Sequence, residues 1–346
     1  VAHFPSASID DDGLATIEFQ LTNGEGTAIT DLSASDVRFV ISKLQPSALS
    51  SASGTWQSYL NVVREPVPGF GDGTEARLQA TYERPAEEDD LINNGDGTYR
   101  YTLAQSITNL EADVLAQAAT EGLDLSYDPN LTHRVSMQFD GNPNTTANPY
   151  HDWIPATGAS GNVFNMDIAA TANCNRCHDP LAFHGSNRRE IQYCVTCHNP
   201  GSTDPESTNT VDMKVMIHKI HAGANLPSVQ EGGEYIFWGF RNSEYNYSNL
   251  HYPQDIRNCV NCHVGSATVG DRTDLTVTAQ GDNWAEVSSK AACGSCHDTP
   301  DSGAGHIAAR EEDDCASCHS AGGFAGSVAD SHRMLVQEAR QEFAAE

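Results

Sequence analysis

The sequence predicts an α+β chain of two domains: an antiparallel β sandwich or barrel over residues 1–165, then a cysteine-rich domain of short helices and loops over 166–346. Three observations carry this reading. The first 165 residues hold no cysteine and repeat short runs of alternating apolar and polar side chains between Gly/Asp/Asn turns. All ten cysteines fall later, in five frames of one form. The segment that holds them is too short and too polar to bury a large core of its own.

The first domain follows a period of two. In "ATIEFQLTN", Ile17, Phe19 and Leu21 alternate with polar neighbours, and "DVRFVISKL", "TYRYTL" and "HRVSMQF" do likewise. "NLEADVLAQAAT" predicts one short helix, and clusters such as "NNGDGT" predict turns. The acidic turns "DDDG" and "NNGDG" are candidate calcium sites beside their plainer reading as turns.

Composition bounds the partners. A formal charge of −28 argues against nucleic acid, whose affinity for proteins comes largely from basic side chains. Both halves are acidic, with 23 acidic against 7 basic residues before position 160 and 24 against 12 after it. No window approaches the roughly 18–20 apolar residues of a membrane span. The opening "VAHFPSASID" has neither a charged n-region nor an apolar h-region, so an export signal is expected to have been removed already.

The five frames are "CNRCH" (174–178), "CVTCH" (194–198), "CVNCH" (259–263), "CGSCH" (293–297) and "CASCH" (315–319). Cys-x-x-Cys-His is the attachment signal for c-type haem. Two sulfurs three residues apart can add to the two vinyl groups of a porphyrin, and the adjacent imidazole falls beneath the iron. A zinc site would pair two Cys-x-x-Cys units without a fixed histidine after each, and a thioredoxin-like redox pair would stand alone. Five complete frames with no stray cysteine favour neither. They predict five covalent haems, with thioether bonds from Cys174, Cys177, Cys194, Cys197, Cys259, Cys262, Cys293, Cys296, Cys315 and Cys318. The proximal iron ligands are His178, His198, His263, His297 and His319. Such attachment implies maturation outside the cytoplasm and commits every sulfur, leaving none for structural disulfides.

Nine histidines lie outside the frames: His3, His133, His151, His184, His218, His221, His251, His306 and His332. Six of them stand at or after 184, which marks this group as the source of sixth ligands. Methionine is the competing ligand, and only Met213, Met216 and Met334 lie near. In "VDMKVMIHKI", Val211, Val215, Ile217 and Ile220 recur at helical spacing after the cap candidates Asn209 and Thr210, and Gly223 can end the helix. His218 and His221 then share one face, about 5–6 Å apart at Cβ. They cannot ligate opposite sides of one iron, so they are predicted to reach two different haems. The alternative is an ordinary His-x-x-His metal site. From Cys174 to His332 the chain offers about 32 residues per haem, so porphyrins must supply most of the apolar interior. The frames begin 20, 65, 34 and 22 residues apart, which is no fixed repeat. The tail "SVADSHRMLVQEARQEFAAE" predicts a terminal helix begun by Ser327 or Asp330 that carries His332 toward a haem.

The runs "DPLAFHG", "YCVTCHNPGS", "NTVDMKVMIHKIHAG", "YPQDIRNCVNCH", "QGDNW" and "AACGSCHD" resemble the outer-membrane decahaem cytochromes of the MtrC/OmcA family, most densely over 170–320 and more loosely over 35–165. The resemblance implies a Greek-key or split-barrel β domain before a pentahaem domain, a pair that the family carries twice. It implies bis-histidine haems, an extracellular or outer-membrane-surface location, and conduction of respiratory electrons to metal oxides, flavins, electrodes or other multihaem cytochromes. Carried over by position, the distal ligands are His184, His218, His221, His306 and His332, with His251 in reserve. Three departures accompany it: a single β/pentahaem pair, in a half-length form or a piece; no cysteine for a lipid anchor; and no disulfide in the β domain.

The leading expectation is therefore an electron carrier with no chemistry on a bound substrate. One alternative is a polymerising subunit of a conductive filament, with His3, His133, His151 and His251 available to a neighbouring copy. Another is a multihaem reductase of nitrite, hydroxylamine or a sulfur oxyanion. Such an enzyme needs an open iron, commonly marked by lysine in the frame, whereas all five frames here end in histidine.

Overall fold

A computed structural model describes residues 1–47, 53–140, 148–309, 314–319, 323 and 325–332. Among the described residues eleven strands lie in the first half and form its two larger sheets and a small one, beginning with β1 (Ala2–Ile9), β2 (Ala15–Leu21), β3 (Val37–Pro46), β4 (Gly54–Ser58), β5 (Asn61–Arg64), β6 (Arg77–Ala80), β7 (Leu91–Asn93), β8 (Thr98–Thr102), β9 (His133–Phe139) and β10 (Tyr150–Ile154). The two-residue β11 (Ala159–Ser160) closes the set. One antiparallel sheet runs β1-β2-β8-β7 and the other β11-β10-β9-β3-β4, with β5-β6 as a separate ribbon. The helix α1 (Ala112–Thr120) is the one expected from "NLEADVLAQAAT".

The alternation in β2 and β3 explains the core. Ile17 and Phe19 from one sheet meet Val37, Phe39 and Ile41 from the other, with Tyr99, Tyr101, Val135, Met137 and Trp153 filling between them. Phe39 and Tyr101 stack at 4.7 Å, within the range that adds to simple area burial. The two acidic turns close on themselves: Asp10 Oδ1 accepts from the amides of Asp12 and Leu14, and Asp96 Oδ1 accepts from Thr98. Among the described residues no group of three or more His, Cys, Asp or Glu side chains is arranged to hold a metal ion.

Strand β9 departs from simple alternation, because it is buried on both faces. Its odd residues enter the core. Its even residues, Arg134, Ser136 and Gln138, face the second half of the chain together with Val40 and Ser42 of β3. Ser42 Oγ donates to the Thr196 carbonyl, Gln57 Nε2 to Asn199, and Arg134 Nη1 to the Gln192 carbonyl. A polar strand face that alternation would assign to solvent is thus a docking face, and most of its polar groups, Ser136 Oγ excepted, are paired as burial requires. A second contact uses the 67–73 loop, where the amides of Asp72 and Gly73 donate to the Glu206 carbonyl. A Cβ on Gly73 would lie 1.7 Å from the Pro205 carbonyl oxygen, so only glycine permits this approach.

The second half is built from short pieces: α2 (Thr171–Cys174), α3 (Ile191–Cys194), α4 (Met213–Ala222), α5 (Pro227–Gln230), α6 (Asn283–Glu286), α7 (Lys290–Gly294) and α8 (Ala304–Ala308). One small hairpin, β12 (Ile236–Trp238) and β13 (Glu244–Asn246), packs under α4. The cap of α4 is Asp212, whose side chain accepts from the Lys214 amide; Thr210 supports it by accepting from the Asp212 amide, so the start lies two residues beyond the expected cap. Gly223 ends the helix with φ of 47°. Ser327 caps the short helical turn at 328–332 by accepting from the Asp330 amide, and the rest of the expected terminal helix, with Met334, lies outside the described residues.

No helix among the described residues is long and apolar enough to cross a membrane.

Candidate haem centres

Each of the five frames folds into the same single turn. In every one, the carbonyl of the first cysteine accepts from the amide of the second at 3.1–3.2 Å and from the amide of the histidine at 2.9–3.0 Å. Residues three and four apart on such a turn share a face, so both sulfurs and the imidazole project together. Five unrelated flanking sequences converge on this shape, which is what thioether attachment over one porphyrin edge with an imidazole beneath it demands.

Four frame histidines face a histidine from outside the frames. The ring centroids of His184 and His198 stand 5.9 Å apart, those of His178 and His221 6.1 Å, those of His218 and His263 6.0 Å, and those of His306 and His319 6.4 Å. A metal–imidazole bond of about 2 Å plus the ring radius of roughly 1 Å puts two axial imidazoles about 6 Å apart across one metal ion. The spacing therefore fits an iron between each pair. His218 and His221 are one helical turn apart on α4, yet they face the third and the first frames respectively.

Burial favours the neutral ring, as ligation requires, at His178, His184, His198, His218 and His263. Burial, then the charges of Arg188 and the neighbouring His198, push His184 down to about 3. Burial, then His263, push His218 down to about 4. Four imidazoles are also oriented by carbonyls, which can only accept: His198 Nδ1 lies 2.9 Å from the Val211 oxygen, and those of His221, His297 and His332 lie 2.8 Å from the oxygens of Ile217, Ser302 and Val328. Nδ1 must carry the proton, leaving the Nε2 lone pair free, the second-shell device that sets the tautomer of metal-bound histidine. Nδ1 of His218 is buried without a hydrogen bond of normal geometry, although the Lys214 carbonyl one turn back favours its proton.

The sulfurs do not look like thiolate ligands. Burial raises Cys174 and Cys259 to about 11 and Cys194 to about 12, whereas a zinc-binding or reactive cysteine is lowered by its surroundings. The residues present fit a covalently attached haem better than a thiolate metal site. Sulfurs of neighbouring frames also lie close enough to act on one another: Cys174 is influenced by Cys262, Cys194 by Cys174, and Cys259 by Cys296. The first frame thus neighbours the second and the third, and the third neighbours the fourth.

The remaining histidines divide. His297 and His332 are the frame and tail residues left over from the four pairs. His3 and His251 are exposed. His151 is half-buried and stacked on Phe4 and Trp153, both at 5.9 Å. His133 corrects the expectation of a spare ligand: it is fully buried, with Nε2 bonded to the Tyr59 hydroxyl at 3.0 Å and Nδ1 to the Leu131 carbonyl at 2.9 Å. It is a satisfied core histidine with no nitrogen to offer.

Sequence reading missed the groups that support these rings. Lys219, between His218 and His221, donates to Asp298 at 2.6 Å, and Asp298 directly follows the fourth frame. Helix α4 therefore touches a third frame by an ion pair, and nothing in the chain order links positions 79 apart. Tyr252 packs edge-on to His221 at 5.5 Å, and Arg188 lies beside the His184/His198 pair.

Repeated attachment turns with facing imidazoles define a multihaem c-type cytochrome. Comparison with known proteins agrees. Residues 166–333 match the family described as outer membrane cytochrome MtrC/MtrF-like, domains II/IV, and residues 1–160 match the OmcA-like N-terminal domain. The chain belongs to the MtrC/OmcA family of outer-membrane multihaem cytochromes. It is 25% identical to the multihaem cytochrome MtrC of Shewanella baltica OS185 over 95% of this chain and 42% of that protein. The crystal structure of the outer-membrane decahaem cytochrome OmcA superposes with a TM-score of 0.77 at 30% identity, covering 97% of this chain and 49% of OmcA. The crystal structure of MtrC from S. baltica OS185 shares the fold at a TM-score of 0.61 and 20% identity, over 98% of this chain and 46% of that one. The chain thus spans about half the length of these relatives.

Proposed function

We propose that this chain is an extracellular electron conductor, passing respiratory electrons through five closely packed bis-histidine haems to metal oxides, flavins or electrodes, or to partner multihaem cytochromes. The observation that carries the reading is the set of four facing imidazole pairs at 5.9–6.4 Å, each joining one frame to one lone histidine. His297 and His332 complete the ligand set as the fifth pair. Bound haem would supply one-electron exchange at iron. The chain's own part would be to offer two imidazoles to each iron, so that no substrate reaches it, and to hold neighbouring centres at fixed spacing. Helix α4 does this for two of them by offering His218 and His221 from one turn. A β domain over 1–165, of split-barrel form, and a pentahaem domain over 166–346 make up this unit. The surface charge of −28 suits positively charged mineral surfaces or a basic partner.

The test is low-temperature electron paramagnetic resonance on the haem-loaded protein. Entirely low-spin ferric signals are expected. A large high-spin signal from an iron that also binds nitrite or hydroxylamine would establish the reductase reading instead.

A second reading, exchange of ligands between copies, retains His3 and His251, whose exposed rings a neighbour could reach. Electron microscopy of native material distinguishes it, since monomers with every iron ligated internally exclude it.

A further inference from the structure

The loop that carries His184 is held from outside the cytochrome half. Phe183 and Arg188 exchange backbone hydrogen bonds at 2.9 and 3.2 Å, closing a hairpin whose first three residues, His184, Gly185 and Ser186, have φ of 51°, 73° and 69°. Two residues with a Cβ in the left-handed region persist only where surroundings over-determine them. Here the surroundings belong to the β half. Asn148 accepts from the Arg189 amide at 2.7 Å and donates to the Asn187 carbonyl at 2.8 Å. Asn187 donates to Asp140, and Arg188 Nε donates to Gln138 Oε1 of β9 at 2.7 Å. The guanidinium also lies 5.8 Å from the Tyr82 ring and 5.7 Å from that of Tyr193.

The bond to Gln138 is to a neutral amide, so it immobilises the guanidinium without cancelling its charge. That charge stands beside both ligands: Arg188 closes the hairpin that carries His184, and its guanidinium lies 5.7 Å from the ring of Tyr193, which directly precedes the frame ending in His198. A fixed cation beside a redox centre favours the state with one more electron, and local charge and hydrogen bonding are among the levers that set haem potentials.

We propose that Arg188 raises the reduction potential of the haem held between His184 and His198, and that the β half, through Gln138, positions that charge. This assignment rests on the reading that those two histidines are axial ligands. It gives the β half a part in electron transfer: docking of its polar strand face would make the second-frame haem a preferred seat for the electron.

The experiment is a potentiometric titration of haem-loaded full-length chain, resolved by electron paramagnetic resonance. His184→Met first identifies the component belonging to this haem. Arg188→Gln is expected to lower the midpoint of that component so that its ferrous-to-ferric ratio at the parent midpoint falls about tenfold, ~59 mV for one electron. Arg188→Lys, which keeps the charge, is expected to retain most of the parent value. Gln138→Leu keeps the charge but frees it, and is expected to lower the midpoint by less while speeding hydrogen exchange at 183–189. An unchanged midpoint in Arg188→Gln, or an equal fall in Arg188→Lys, overturns the proposal while the ligation stands. If His184→Met alters no haem component, the ligation reading falls and takes the proposal with it.

Discussion

A buried ion pair within the β half stiffens the strand face that docks on the second half, and its removal should be costly. Arg134 Nε and Nη2 donate to the two oxygens of Asp152 at 2.6 and 2.7 Å, with side-chain exposures of 1% and 7%. The guanidinium is sandwiched between Trp56 at 4.2 Å and Tyr150 at 4.4 Å, and its third contact is the Gln192 carbonyl in α3, next to the second frame. Arg134→Ala leaves Asp152 buried with only the amide of Asn165 at 3.0 Å, and leaves Gln192 without its donor. Breaking such a pair by removing one partner costs about 3–5 kcal/mol. At about 2–4 °C per kcal/mol for a domain of this size, the β half should melt roughly 6–20 °C lower. Circular dichroism in the β-sheet region follows that transition. The double substitution Arg134→Met with Asp152→Leu removes both charges and should recover most of the loss, because isosteric apolar replacement of a buried pair is often neutral. A single variant within about 1 kcal/mol of the parent, or a double variant no better than the single, would refute the account.

Three further outcomes follow from the geometry. His218→Met and His221→Met should each convert one component of the resonance spectrum, and not the same one; methionine in place of histidine should raise that component's midpoint. Lys219→Met should destabilise the cytochrome half by about 3 kcal/mol in thermal unfolding, by leaving buried Asp298 with Ser228 alone. Burial opposes the Asp298 charge, but the bonds from Lys219 and Ser228 prevail and hold its carboxyl below the usual range. Their stabilisation is accordingly present above the ordinary carboxylate range and lost as pH falls below it, and Lys219→Met should flatten that loss. Burial pushes His133 from 6.5 down to about 4, so the unfolded chain binds the extra proton first. Stability of the β half should drop by about 3 kcal/mol as pH falls from 6.5 to 4, and His133→Gln should abolish that slope in denaturant titrations.

Part of this was legible because the chemistry is local. A Cys-x-x-Cys-His frame needs one turn to present its sulfurs and imidazole, so five frames could be counted and given roles before any fold was known. Alternation in β2 and β3 placed Ile17, Phe19, Phe39 and Ile41 correctly for the same reason, since a pleated strand decides its two faces by itself. The spacing of His218 and His221 likewise required two different partners, because one turn of helix cannot straddle a porphyrin.

Which partners they face was settled only by tertiary structure. His221 meets the first frame and His218 the third, across loops whose path no local pattern dictates. His133 and His184 look equivalent as letters, yet one is sealed in a core by Tyr59 and the other is held toward His198 on a hairpin clamped by β9. The polar residues of β9 read as a solvent face until the second half of the chain covers them, through contacts as distant in sequence as Gln57 to Asn199. The letters of the chain are enough to count five attachment frames and to name the sulfurs and imidazoles each one offers, because a frame is complete within five residues. The surroundings of each site, and hence its charge, dryness and potential, belong to the tertiary structure, because electrostatics depends on distances through space rather than along the chain.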